Sequence, residues 1–149
     1  MVKILVLQGP NLNTLGRRKA AHYGALTMDE IHERISARAR ELSCAVTFFQ
    51  SNHQGSLVDK VQESRDGVDG VIINPAGLTA AGYSLRDAIE DSGLPTVEVH
   101  LSNIHAREEF RRHSCFAAIV VGQIVGFRWR GYIAALEMLV SRIQEDEAV

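Results

Sequence analysis

The chain has 149 residues and a formal net charge of -2, with 46% apolar and 23% charged residues. That length and balance describe one folded domain rather than a disordered or membrane-spanning chain. A near-neutral protein with a pI of about 6.3 has no broad positive field for nucleic acid or an anionic membrane surface. The cysteines, Cys44 and Cys115, lack the spacing of a redox or metal pair and read as buried thiols in a reducing compartment. The start, MVKILVLQGPN, carries too short an apolar run for a secretory leader, so a cytoplasmic protein is expected.

The first predicted strand, Ile4 to Leu7, is apolar without in-out alternation, as in strands covered on both faces. It leads into GPNLNTLGRRKAAHYG, a connection of 16 residues, long for a strand-to-helix link and expected to form a lid. Asn11 and Asn13 are its neutral hydrogen bonders, Arg17, Arg18 and Lys19 its cations, and Tyr23 its one phenol. A solvated loop with scattered charges is the alternative. Thr27 and Glu30 have capping-box spacing and predict a helix that buries Ile31, Ile35 and Leu42.

A weaker strand is predicted over Ala45 to Phe49, followed by SNHQG and a helix opened by Ser56 and Asp59. The third strand, Val71 to Ile73, ends in NPAGLTAAGYSLRDAI, whose Asn74, Gly77 backbone and Asp87 suit a polyhydroxylated ligand. An ordinary Asn-Pro turn before a helix would look much the same. That helix spans Ala81 to Ser92 and stops at Gly93 with Pro95 beyond.

The fourth strand, Thr96 to Val99, runs into His100, Ser102 and Asn103, then a short helix over Ala106 to His113 with Arg107, Arg111 and Arg112. Here a proton carrier, backbone amides and arginines converge, a combination suited to a small carboxylic acid. Glu98, two residues before His100, shares its strand face and is placed to hold one ring nitrogen. A satisfied core histidine is the plainer alternative. A fifth strand is predicted over Ala118 to Val125 and a last helix after Gly131, with Ile133, Leu136, Val140 and Ile143 inward.

Alternating strands and helices without linker or repeat predict a single domain over residues 1 to 149, an α/β fold of flavodoxin-like, doubly wound kind with a five-stranded parallel sheet. Ligands in such folds sit beyond the carboxyl ends of the strands, where the polar segments cluster. The first strand-helix turn lacks GxGxxG and the chain has no GxxxxGK[ST], which argues against a nucleotide module. His100, His105 and His113 have no common zinc spacing, so no metal site is expected.

Taken together, these segments resemble the type II 3-dehydroquinate dehydratases. The family patterns GPNLNxLGxREPxxYG, NPxxxTH and EVHxSNxxxREEFRxxS are met in order by GPNLNTLGRRKAAHYG, NPAGLTA and EVHLSNIHAREEFRRHS, with SNHQG and GQIVGFRWRGY extending the match over nearly the whole chain. The resemblance implies anti elimination of water from 3-dehydroquinate through an enolate, without metal or organic cofactor, in a trimer-based dodecamer. It assigns Tyr23 as general base, Arg18 as its activator, His100 as general acid and Asn11 as the group that steadies the enolate. Asn74, Leu101, Ser102 and Arg111 match substrate binders, and Asp87 matches a binding residue at the subunit boundary. A free phenol is only roughly 0.1% ionised at pH 7, so a tyrosine base needs cations beside it, and Arg18 and Arg111 are the expected ones.

Two departures stand out. Lys19 and Ala20 replace Glu-Pro, and Ala80 replaces the histidine of NPxxxTH, removing one contact to a substrate hydroxyl. Ala80 keeps open a relative acting on a modified cyclohexanecarboxylate, or a weakened or non-catalytic ligand-binding homologue. His22 is a possible substitute for the lost imidazole, and Tyr83 a side chain that would fill the vacated space.

Overall fold

In the computed structural model, which describes all 149 residues, the apolar runs become five parallel strands in the order β2-β1-β3-β4-β5. These are β1 (Lys3–Gln8), β2 (Ala45–Gln50), β3 (Gly70–Asn74), β4 (Thr96–His100) and β5 (Gly122–Val125). The crossovers are α1 (Ala20–Tyr23), α2 (Met28–Glu41), α3 (Gln54–Ser64), α4 (Tyr83–Ser92) and α5 (Glu109–Arg112), and α6 (Arg130–Glu147) closes the chain. This is the flavodoxin-like, doubly wound α/β domain that the alternation predicts.

Burial on both faces explains the unbroken apolar strands. Along β1, Ile4 and Val6 join the core under α2 and α6, while Leu5 and Leu7 join the core under α3 and α4. All four are completely buried, each contributing roughly 1.5 to 3 kcal/mol of transfer free energy. The same parity directs the polar strand ends: Gln8 continues the face of Ile4 and Val6, and Asn74 that of Ile72. At the mouth of the sheet Gly9 passes so close to β3 that a Cβ there would lie 2.5 Å from the Pro75 carbonyl oxygen.

Helix α2 has the expected capping box, Thr27 Oγ1 accepting from the Glu30 amide at 3.2 Å. Several boundaries differ from expectation. Helix α3 begins at Gln54 after His53, so Ser56 and Asp59 lie inside it; Gln54 instead accepts from the Leu85 amide at 3.1 Å and ties α3 to α4. Residues 81 and 82 belong to the turn before α4, which starts at Tyr83. The helix predicted over Ala106 to His113 is a 3-10 turn, Ile104–Ala106, followed by the single turn α5. Strand β5 is shorter than its apolar run, because the chain first turns around fully buried Phe116 and enters the sheet only where the Val121 amide meets the Thr96 carbonyl. No helix is long and apolar enough to cross a membrane.

Candidate active site

A cleft open to solvent lies over the carboxyl ends of β1, β3 and β4. Its lining brings together Arg18, Tyr23, Asn74, His100, Leu101, Ser102 and Arg111 from three separate stretches of sequence, with Ala80 and Arg107 among them. These stretches converge because parallel strands deliver every carboxyl end to one edge of the sheet.

One wall comes from the long connection after β1. Asn11 turns the chain there with a φ of 69°, and its backbone amide donates to Asn52 Oδ1 at 2.9 Å. Gln50 braces the same turn by donating to the Gly9 carbonyl at 3.2 Å. After a 3-10 turn over Leu12–Thr14, with Leu12 and Leu15 buried, the chain reaches α1 and Tyr23. The phenol oxygen accepts from Arg18 Nη2 at 2.9 Å and from Arg107 Nη1 at 2.9 Å. The Arg18 guanidinium also lies 3.9 Å from the ring centroid. The phenol oxygen thus sits between two guanidinium donors.

The second cation is Arg107, not Arg111. Arg107 also donates to Ser102 Oγ at 3.2 Å, and its buried Nε has no hydrogen-bond partner. Arg111 lines the cleft but gives its Nε to Glu108 Oε2 at 2.6 Å. The exchange follows from the short elements: Arg107 lies in the bend between the 3-10 turn and α5, while Arg111 sits on the next turn.

The strand-end wall is buried. His100 Nε2 pairs with Glu98 Oε2 at 2.5 Å, with His100 4% and Glu98 0% exposed. Ser114 Oγ, 2.8 Å from both Glu98 oxygens, and Gln123 Nε2, 3.0 Å from Oε1, complete the carboxylate's partners. The second histidine nitrogen, Nδ1, is the one left for a substrate. Ser114 and Gln123 were not singled out from sequence. Ser114 closes the motif that begins at Glu98, whereas Gln123 owes its place to β5 pairing with β4, where Glu98 stands opposite Gln123.

Beyond His100 the chain leaves the sheet through buried Leu101 and Ser102, and no backbone carbonyl takes either amide. Asn74 lines the floor; its Oδ1 accepts from the Ala76 amide at 3.1 Å and its Nδ2 donates to the Tyr132 hydroxyl at 2.8 Å. Burial pushes the Tyr132 phenol up to about 12, so it stays protonated. Tyr132 closes the GQIVGFRWRGY stretch, but no role could be read for it, because one tyrosine among the apolar residues of a helix looks like core.

Asn11 and Asp87 do not line the cleft of this chain. Asn11 is exposed at the rim, and Asp87 is exposed on α4, 3.0 Å from Arg86. His22 lies edge-on to Tyr23 with ring centroids 6.0 Å apart, outside the lining. Tyr83 is 61% exposed and does not occupy the space beside Ala80. No three His, Cys, Asp or Glu side chains come together as a metal-binding group.

The parallel sheet and its cleft define an α/β protein with a cation-supported phenol facing a carboxylate-supported imidazole, an arrangement for acid-base chemistry on a small anion. A family model described as Dehydroquinase class II matches residues 2–140. The chain is 52% identical over 141 residues to the 3-dehydroquinate dehydratase of Endomicrobium trichonymphae, covering 95% of this chain and 99% of that protein. Identity to the enzyme of the same name from Acaryochloris marina is 46% over 141 residues, 95% of either chain. Among solved structures, the type II dehydroquinase of Butyrivibrio crossotus superposes with a TM-score of 0.91 at 41% identity, covering 93% of this chain and 97% of that one. This chain belongs to the class II dehydroquinase family.

Proposed function

We propose that this chain removes water from 3-dehydroquinate to give 3-dehydroshikimate. The observation that carries the reading is the Tyr23 oxygen held by Arg18 and Arg107, both at 2.9 Å, in the same cleft as His100 of the His100–Glu98 pair. A phenolate stabilised by two guanidinium groups takes the proton from the carbon beside the substrate ketone. The electron pair moves into an enolate; for Asn11, exposed at the rim outside the lining, to steady it, the rim must move toward the substrate. As the enolate collapses, the bond to the β-hydroxyl breaks and His100 supplies the proton that turns the departing oxygen into water. Base and acid both line the one cleft, and the proposed anti elimination has them act on opposite faces of the substrate ring.

Glu98 serves this step by holding Nε2, which fixes the orientation of the imidazole. The amides of Leu101 and Ser102 suit the substrate carboxylate, while Asn74 and Arg111 suit its hydroxyls. A role for Asp87 requires a neighbouring copy, in keeping with the proposed trimer-based dodecamer. The protein is read as cytoplasmic. The two readings that Ala80 left open, another cyclohexanecarboxylate as substrate or a chain without catalysis, are not favoured, since the cleft keeps both its base and its acid pair.

The test is an ultraviolet assay for the conjugated enone, with purified protein and 3-dehydroquinate. Absorbance growing in proportion to enzyme is expected, and EDTA should leave the rate unchanged because side chains alone move the protons. Absence of product would overturn the reading.

A further inference from the structure

Beneath the cleft runs a line of polar side chains of which the proposed chemistry uses only Asn74. Gln8, Asn74 and Tyr132 are all buried, and Tyr132 meets the other two from the first turn of α6. The direction of their hydrogen bonds is set at one end by a group that can only donate. The Ala76 backbone amide reaches Asn74 Oδ1 at 3.1 Å, so Asn74 must turn its NH2 toward Tyr132, and Nδ2 donates there at 2.8 Å.

Having accepted that hydrogen, the phenol sends its own to Gln8 Oε1 at 2.7 Å. Gln8 is left with its NH2 facing His32 Nε2 at 3.2 Å, which makes that ring nitrogen an acceptor and puts the histidine proton on Nδ1. His32 is held for this by stacking on Phe48 with centroids 4.0 Å apart. Desolvation lowers its pKa, against the opposing pull of Asp29.

We infer that Tyr132 and Gln8 are positioning residues for Asn74: they lock its amide so that the second Nδ2 hydrogen is offered to the substrate in the cleft that Asn74 lines. A flipped amide would set NH2 against the Ala76 N-H, two donors face to face in a buried site. Removing the Tyr132 hydroxyl takes away the partner that rewards the correct orientation. The inference rests on Asn74 being a substrate-binding residue.

The test is a double-mutant cycle of Tyr132→Phe and Asn74→Ala, with KM, kcat and Tm measured for each protein. Tyr132→Phe is expected to raise KM roughly tenfold with kcat largely kept, as for loss of one oriented contact. In the Asn74→Ala background the same substitution should cost nothing further in KM. A merely structural tyrosine would lower Tm and leave KM alone, or lose the same factor in both backgrounds; either result overturns the inference. If Asn74→Ala alone leaves KM unchanged, the assignment of Asn74 to substrate has failed, and the inference falls with it. Should Tyr132→Phe not fold, Gln8→Met removes the acceptor at similar volume. It should raise KM by a smaller factor that also vanishes in the Asn74→Ala background, and an unchanged KM overturns the inference equally.

Discussion

The two walls of the cleft hold their reactive groups by different means. Tyr23 stands at the end of a long surface connection, half-buried, and its oxygen is held by two guanidinium groups on separate segments. His100 stands at the end of a buried strand on a carboxylate whose oxygens meet Ser114 and Gln123 as well. The loop wall acts through charge near solvent, the strand wall through geometry enforced by packing. Substitutions on the loop wall should therefore alter catalysis with little change in stability, whereas those behind the strand wall should alter both.

The hardest test of this contrast is Tyr23→Phe. Only the hydroxyl is lost, so kcat should fall by roughly 10²- to 10⁴-fold, the usual contribution of a positioned base, with Tm unchanged. A rate near that of the parent would move the base elsewhere, and a large loss of Tm would mean that the loop wall is as structural as the strand wall.

The next test separates the arginines. Arg107→Met should lower kcat by roughly ten- to a hundredfold because the phenol loses one of its two donors. Arg111→Met should act mainly on KM, since Arg111 faces the cleft but gives its Nε to Glu108. Equal effects on kcat would return Arg111 to the base.

A third test concerns Ala80, where the family pattern carries histidine. Ala80 is half-buried in the lining, and exposed Tyr83 leaves the adjoining space open. Ala80→His should then raise kcat/KM on 3-dehydroquinate about tenfold through one recovered hydrogen bond. A fall would mean that the imidazole overpacks the floor between the two walls.

These cases show what was legible in the sequence. Parallel topology and the convergence of strand ends follow from apolar runs and their parity, so the cleft and its main residues could be expected. The partner of Tyr23 could not, because choosing Arg107 over Arg111 depends on where a 3-10 turn ends, and boundaries of such short elements have no periodic signal. The expected start of α3 at Ser56 failed for a related reason: capping-box spacing also occurs inside helices, and the contact of Gln54 with α4 is tertiary. The role of Tyr132 was not legible because its hydroxyl finds Asn74 and Gln8 only through long-range packing, at sequence separations of 58 and 124.

Behind the strand ends, His32 makes the contrast sensitive to pH. Its folded pKa lies below the ordinary 6.5, chiefly through desolvation, with Asp29 opposing. The unfolded chain therefore binds more protons between the folded value and 6.5, and stability rises with pH across that window. This contribution is complete above the unfolded value and is lost as pH falls toward the folded one. Denaturant midpoints measured from about pH 5 to 7 should show the slope, and His32→Phe, which keeps the stacking on Phe48, should flatten it. An unchanged slope would assign the dependence to another group.

The smallest effect expected is at Ala76, where strain and function meet. Its φ of 51° is left-handed, a region that costs a residue with a Cβ roughly 1 to 2 kcal/mol. Local bonds hold it there, its amide on Asn74 Oδ1 at 3.1 Å and its carbonyl accepting from Thr79 Oγ1 at 2.6 Å. Ala76→Gly relieves the strain but gives the unfolded chain more freedom, which returns roughly 0.4 to 1 kcal/mol. The net gain should be about 0.5 kcal/mol, or a rise of roughly 1 to 2 °C in Tm for a chain of this length. KM should not change, since the amide that orients Asn74 remains. A lower Tm would mean that the Ala76 methyl, which lines the cleft, contributes more by packing than its backbone loses by strain. A higher KM at unchanged Tm would mean that the turn needs the stiffness of alanine to keep the Asn74 amide in register with the relay behind it.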